Sequence, residues 1–189
     1  MKNLPNTLTW IRIALIPLFV LIFYMPFPWA HPATSLIFLL AGLTDWLDGY
    51  YARKLNQTSS FGAFLDPVAD KLMVAVALLL LVQADQSRYS VLVALSAAII
   101  IGREITISAL REWMAALGER GRVAVSAVGK VKTTVQIIAI AFMLFRVPLY
   151  GIPIYEIGML LLIVAGALTL WSMTLYLRAA WPTLSRANS

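Results

Sequence analysis

The sequence contains six long apolar runs, separated by short polar or proline-containing stretches. They cover residues 8–25, 33–48, 64–82, 90–110, 131–145 and 152–177. A membrane-spanning helix needs about 20 predominantly apolar residues, and 61% of the 189 residues are hydrophobic whereas only 13% are charged. Soluble domains carry about 25% charged residues. The pattern therefore predicts an all-α integral membrane protein with six transmembrane helices, built as a single domain over residues 1–189.

The basic residues are distributed unevenly over the connections between these runs. The net charge is +6, and 13 of the 15 Lys and Arg residues fall at the termini or around the second and fourth connections. Only Arg88 and Arg146 lie on the opposite side. Because basic residues favour the cytoplasmic side, we expect both termini and those two connections to be cytoplasmic. The apolar composition argues against a nucleic-acid partner, and the expected surroundings are membrane lipids.

Four aspartates interrupt the apolar pattern around the second connection, at Asp45, Asp48, Asp66 and Asp70. The spacings i, i+3 and i, i+4 place each pair on one face of a helix, and the short connection makes the two helices antiparallel. Charges at membrane depth are costly and usually face the bundle interior or a water-filled cavity. Four close carboxylates need cations to neutralise them, and an all-oxygen set suits Mg²⁺ or Mn²⁺ better than zinc.

Small residues accompany these aspartates at helical spacing. Gly49, Ala52 and Gly62 leave room for a bulky group to lie against the backbone. With Arg53 and the four aspartates they form D-x2-D-G-x2-A-R-x8-G-x3-D-x3-D over residues 45–70, which resembles in full the signature of the CDP-alcohol phosphotransferase family. Residues 103–112 and 129–136 also resemble corresponding stretches of bacterial members of that family.

The resemblance implies a reaction and assigns roles to the signature residues. Family members transfer a phosphatidyl group from CDP-diacylglycerol to an alcohol and release CMP. By resemblance, a centre of two divalent ions is held by Asp45, Asp48, Asp66 and Asp70, and Asp70 is also the general base. The CDP-lipid would be bound by Asp48, Gly49, Ala52, Arg53 and Gly62. The resemblance further implies a homodimer in the bacterial inner membrane, with a polar active-site cavity open to the cytoplasm.

Basic residues beyond the signature indicate which alcohol is the acceptor. Glu104, Ser108 and Arg111 follow one face of the fourth helix, and basic residues begin the fifth helix at a similar membrane level. We expect a phosphate-binding pocket formed by Arg103, Arg111, Lys130 and Lys132. Such a pocket fits sn-glycerol 3-phosphate better than neutral inositol, serine or choline. The predicted products are therefore phosphatidylglycerophosphate and CMP.

Other interpretations are compatible with the same residues. A sister enzyme of the family would use phosphatidylglycerol, inositol phosphate or serine as its acceptor. Basic residues such as Lys132 could simply face anionic lipid on the cytoplasmic side. A cation-coupled transporter would use the four aspartates as its ion site, although transporters often contain paired repeats and no internal repeat is visible in this sequence.

Overall fold

Each apolar run forms one α-helix in the structure, a computed structural model. The backbone is described for residues 4–55, 60–119 and 127–187, and the side chains for residues 9–44, 68–69, 71–119 and 131–181. The helices are α1 (Leu4–Phe23), α2 (Ala30–Leu55), α3 (Ser60–Ala84), α4 (Ser90–Ala116), α5 (Ala127–Phe145) and α6 (Ile154–Ala187). The prediction of an all-α chain with six helices is confirmed for the described residues.

Most helices extend beyond the apolar runs that predicted them. The run at 33–48 continues as helix to Leu55, the run at 90–110 to Ala116, and the run at 152–177 to Ala187. Hydropathy reports which residues can face lipid, whereas a helix continues wherever backbone hydrogen bonds continue, and polar residues such as Arg and Lys are good helix formers. The polar ends of the helices therefore lie outside the apolar runs, although the helical spacing of Asp45, Asp48 and Ala52 already predicted the continuation of α2.

Length and composition support membrane crossing most directly for two helices. Among the described residues, Ser90–Ala116 and Ile154–Trp181 are long and apolar enough to cross a membrane. The described apolar parts of the other helices are shorter, at Thr9–Phe23, Ala30–Thr44, Lys71–Ala84 and Val131–Phe145. The assignment of six membrane spans therefore stays a prediction.

The first of two compact units comprises residues 1–85 and 140–158. In it α1 packs against α2 and α3, and α2 contacts α3. Polar side chains within this apolar packing find partners nearby: the Ser35 hydroxyl donates to the Ala141 carbonyl at 2.8 Å, and the Thr34 hydroxyl donates to the Ala30 carbonyl of its own helix at 2.7 Å. Such pairing is required because hydrocarbon offers no hydrogen bonds to replace those of water.

Arg146 holds one end of this unit together. It ends α5 with a positive φ of 57°, and its Nη2 donates to the Ala84 carbonyl at 2.9 Å. Its guanidinium carbon also lies 5.8 Å from the centre of the Phe23 ring and 5.6 Å from that of Tyr155. The Tyr155 hydroxyl in turn donates to Asp85 Oδ1 at 3.0 Å. The ends of α1, α3 and α5 and the start of α6 are thereby linked around one cation.

The second unit comprises residues 86–139 and 159–189. Within it α4 and α6 come close at Gly166, where an added Cβ atom would lie 3.2 Å from the Cβ of Ser96 and 3.4 Å from its Cα. A further contact between these helices is a buried cluster of Ile107, Met114, Tyr176 and Ala180. Small residues at such crossings allow two membrane helices to approach closely.

The close contact at Gly166 predicts that a larger side chain there destabilises the second unit. Gly166→Leu forces the added atoms against the Ser96 backbone, and overpacking of this kind costs about 1–3 kcal/mol. We expect a lower melting temperature for the purified protein in detergent. The control is Gly42→Leu, since Gly42 is exposed on α2 and its added Cβ meets no atom within 4 Å. Equal melting temperatures for the two variants would contradict the prediction.

Candidate functional site

The four signature aspartates lie on two helices that contact each other. Asp45 and Asp48 belong to α2, and Asp66 and Asp70 to α3. Their side chains, together with those of Gly49, Ala52, Arg53 and Gly62, lie outside the described side chains, so their convergence stays a prediction. The donor set fits a hard divalent ion because it consists of carboxylates at one-turn spacings on adjacent helices. Elsewhere among the described side chains, no group of three His, Cys, Asp or Glu could hold a metal.

A second group of charges is described in full, and Glu104 lies at its centre. Its Oε1 accepts a hydrogen bond from Nη1 of the adjacent Arg103 at 2.7 Å and another from Nζ of Lys132, on α5, at 2.9 Å. The side chain of Lys132 is 1% exposed and that of Arg103 is 8% exposed. Because two buried cations share one carboxylate oxygen, the group retains a net positive charge.

Tyr176, on α6, adds a fourth side chain to the group and connects it to Arg111. The Tyr176 hydroxyl accepts a hydrogen bond from Arg111 Nη2 at 3.1 Å. The guanidinium carbon of Arg111 lies 5.3 Å from the centre of the Tyr176 ring, and that of Arg103 lies 5.5 Å from it. Both distances fall within the range of about 6 Å at which a cation is attracted to an aromatic face. The five side chains Arg103, Glu104, Arg111, Lys132 and Tyr176 are called the basic cluster below.

The basic cluster has both the charge and the free donors to receive an anion. Three cations against the one carboxylate of Glu104 leave two net positive charges. The Nε atoms of Arg103 and Arg111 are buried and find no hydrogen-bond partner among the described residues. A buried donor without a partner is unfavourable, and a phosphate oxygen is a strong acceptor for an arginine. The charge and the unpartnered donors of the cluster are therefore compatible with a phosphate-sized dianion.

The structure brings together three of the four predicted phosphate-binding residues. Arg103, Arg111 and Lys132 all belong to the basic cluster, while the side chain of Lys130 lies outside the described side chains. The burial of Lys132 argues against the alternative that it merely faces anionic lipid.

Sequence reasoning missed two members of the cluster. Glu104 was assigned only to a polar helix face, although an acid inside an apolar helix is a signal that could have marked it as a counter-ion. Tyr176 gave no signal, because a tyrosine in an apolar helix is ordinary and its partners lie on another helix.

Comparisons with known proteins show which family this chain is similar to. The sequence pattern of a family described as CDP-alcohol phosphatidyltransferase matches residues 2–171. The chain is 53% identical to a protein of Salmonella paratyphi A over 178 residues, which is 94% of each chain. It is 52% identical to one of Pseudomonas fluorescens over 185 residues, 96% of this chain and 92% of the relative. Both relatives are named CDP-diacylglycerol–glycerol-3-phosphate 3-phosphatidyltransferase.

The shared carboxylate predicts that Glu104 stabilises the protein. Glu104→Gln leaves the buried Lys132 without its counter-charge, and breaking a fully buried ion pair in this way costs about 3–5 kcal/mol. Because the Glu104 side chain is 28% exposed, we expect a smaller loss, about 1–3 kcal/mol, measured as a lower melting temperature in detergent. The matched control is Glu112→Gln, an exposed acid on the same helix. If the two variants have the same melting temperature, Glu104 does not stabilise the protein through this ion pair.

Proposed function

Because the chain belongs to the CDP-alcohol phosphatidyltransferase family, whose members are integral membrane proteins, we propose an assignment of its residues to the reaction of that family. The chain is an enzyme of phospholipid biosynthesis that transfers the phosphatidyl group of CDP-diacylglycerol to sn-glycerol 3-phosphate. The products are phosphatidylglycerophosphate and CMP. The reaction predicted from the sequence is confirmed by relatives that are 52–53% identical over nearly their whole length.

The bond changes define what the protein must provide. A hydroxyl oxygen of the acceptor forms a bond to the phosphorus of the phosphatidyl group, and the bond from that phosphorus to the oxygen of the departing CMP breaks. The hydroxyl loses its proton, and negative charge on the phosphate oxygens must be offset. The protein therefore needs a proton acceptor, cationic partners for the phosphates and a means of holding both substrates in line.

The signature residues on α2 and α3 would serve the CDP-diacylglycerol half of the reaction. The family uses divalent metal ions, and we assign Mg²⁺ or Mn²⁺, two ions by resemblance, to Asp45, Asp48, Asp66 and Asp70. When bound, such ions offset the negative charge of the pyrophosphate. Asp70 would accept the proton of the attacking hydroxyl. A free carboxylate is a weak base for an alcohol, so positioning must supply a large part of the acceleration.

Residues beside the aspartates would accommodate the nucleotide. Gly49, Ala52 and Gly62 carry little or no side chain, which leaves space for cytidine and its phosphates against the backbone. Arg53 supplies a planar cation that matches the geometry of phosphate oxygens. These four residues, with Asp48, form the proposed CDP-lipid site.

The basic cluster would serve the acceptor half of the reaction. Its two net positive charges match the charge of a phosphate monoester, and the unpartnered Nε atoms of Arg103 and Arg111 are donors that a phosphate can satisfy. This is the structural observation that favours a phosphorylated acceptor. An acceptor without a phosphate, such as serine or inositol, has no net negative charge and would leave the two net positive charges of the cluster unbalanced, which a charged site discriminates against. We also assign Lys130 to the pocket, because it lies on α5 two residues before Lys132.

The distribution of basic residues supports an orientation in the membrane. With 13 of 15 Lys and Arg at the termini and around the second and fourth connections, the positive-inside rule places both termini and these connections in the cytoplasm. We propose six spans in a bacterial inner membrane, with the active-site cavity open to the cytoplasm, where glycerol 3-phosphate and CMP are soluble. A homodimer is proposed from the family resemblance.

The acceptor assignment is tested with a panel of alcohols. Purified protein in detergent is expected to release CMP from CDP-diacylglycerol only when glycerol 3-phosphate and Mg²⁺ or Mn²⁺ are both present. Serine and inositol, which carry no phosphate, should give less than about a hundredth of that rate, because a site built for a phosphate rejects acceptors that lack it. Inositol phosphate and phosphatidylglycerol, which do carry phosphate, should also give lower rates than glycerol 3-phosphate. Faster turnover with any of these would show that the acceptor is wrong, and turnover in excess chelator would show that the metal assignment is wrong.

The metal and base assignments are tested by removing single carboxylates. Asp66→Asn and Asp70→Asn should each lower kcat by about 100-fold or more, since loss of a catalytic acid–base group alone costs that much. Their melting temperatures should stay close to that of the unaltered protein. Asp85→Asn is the control, because Asp85 follows the same helix but lies outside the signature. Near-normal kcat in either signature variant would refute its role.

A further inference from the structure

We propose that Tyr176 is a positioning residue of the acceptor pocket, which orients Arg111 and Arg103 toward the phosphate without cancelling their charge. The inference rests on the proposed role of the basic cluster in binding glycerol 3-phosphate. It goes beyond that role because the match to the family pattern ends at residue 171, so no function of Tyr176 is implied by the signature.

The contacts of Tyr176 reach both arginines through different parts of its side chain. Its hydroxyl accepts a hydrogen bond from Arg111 Nη2 at 3.1 Å. Its ring lies against both guanidinium groups, with centroid distances of 5.3 Å to Arg111 and 5.5 Å to Arg103. One rigid aromatic side chain therefore restrains two long, flexible side chains that are separated by two turns of α4.

The tyrosine is itself held firmly. It is 6% exposed and belongs to the buried cluster with Ile107, Met114 and Ala180. An arginine loses about 1.5–2 kcal/mol of rotamer freedom when it becomes fixed. Where a buried partner already fixes the side chain, that cost is not incurred again when the ligand binds, so binding is tighter.

Arg111 differs from the other two cations of the basic cluster because its partner, Tyr176, is uncharged. Arg103 and Lys132 share the carboxylate of Glu104, whereas Arg111 pairs with no carboxylate in the described part of the chain. A phenol orients a guanidinium but carries no negative charge at neutral pH. Arg111 is thereby fixed in place with its full charge available, and its buried Nε still lacks a partner among the described residues.

A core tyrosine that merely fills space would have different kinetic consequences from a positioning residue. Loss of packing lowers stability and affects both substrates alike. Loss of arginine orientation raises the KM for the acceptor and leaves the KM for CDP-diacylglycerol unchanged. The ratio of the two KM values therefore separates the two roles.

The first test is Tyr176→Phe, which keeps the ring and removes only the hydroxyl. We expect the KM for glycerol 3-phosphate to rise about threefold to tenfold, as for a lost hydrogen bond of ordinary strength. The KM for CDP-diacylglycerol and kcat should stay within about twofold of their original values. Tyr176→Leu, which also removes the ring face, should raise the acceptor KM further. Tyr155→Phe is the control, because it also loses a hydroxyl-to-charge hydrogen bond and should leave the acceptor KM unchanged.

The second test combines Tyr176→Phe with Arg111→Ala. Arg111→Ala alone should raise the acceptor KM by about tenfold or more. If Tyr176 acts through Arg111, the added Tyr176→Phe substitution should change the acceptor KM by less than about twofold in that background. Coupling of this kind is what a double-mutant cycle measures.

Each remaining outcome overturns the inference and shows whether the proposed pocket or only the role of Tyr176 is wrong. An unchanged acceptor KM in Arg111→Ala shows that the cluster does not bind the acceptor, so the proposed pocket fails together with the role of Tyr176. A raised acceptor KM in Arg111→Ala with no change in Tyr176→Phe refutes the role of Tyr176 alone. The same is true if Tyr176→Phe raises both KM values equally, or if its effect is undiminished in the Arg111→Ala background.

Discussion

The cost of placing a charge in hydrocarbon governs this protein more than any other interaction. A charged side chain at membrane depth must pair, reach water or bind an ion, and the described residues show several solutions to that requirement. Lys132 and Arg103 share the carboxylate of Glu104. Arg146 donates to a carbonyl and lies against two aromatic rings. Each of these three cations is consequently tied to particular neighbours on other helices or on its own.

In the proposed assignment, the two halves of the reaction use opposite kinds of charge. The signature on α2 and α3 carries four acids, which would be stable close together only with cations, so the proposed arrangement suits the metal-dependent handling of a pyrophosphate. The basic cluster on α4, α5 and α6 holds an excess of two positive charges, which suits an incoming phosphate. Glu104 is essential to that balance, because three cations with no counter-ion, two of them buried, would repel one another and be costly to desolvate. Tyr176 adds to this balance because it orients Arg111 without neutralising its charge.

Much of the fold and part of the site could be predicted from local patterns. Apolar runs located all six helices, because the need to face lipid acts residue by residue along the chain. The runs fell short at helix ends such as 110–116 and 177–187, because hydrophobicity does not report where backbone hydrogen bonding stops. The family was evident from residues 45–70 because its chemistry requires particular residues at fixed spacings within two adjacent helices. Arg103, Arg111 and Lys132 were predicted as site residues because charged side chains within membrane helices are costly and usually functional.

What the sequence determined by itself was therefore the class of protein, the positions of its helices and the reaction, since each is encoded in residues near one another along the chain. Only the tertiary structure decided which partners these residues have. That Glu104 neutralises Lys132 across two helices, and that Tyr176 lies against Arg103 and Arg111, depends on how α4, α5 and α6 pack. Such contacts join residues that are far apart in the chain. The periodicity of the sequence shows which residues share a helix face, but only the packing of the helices decides which neighbouring helix that face contacts.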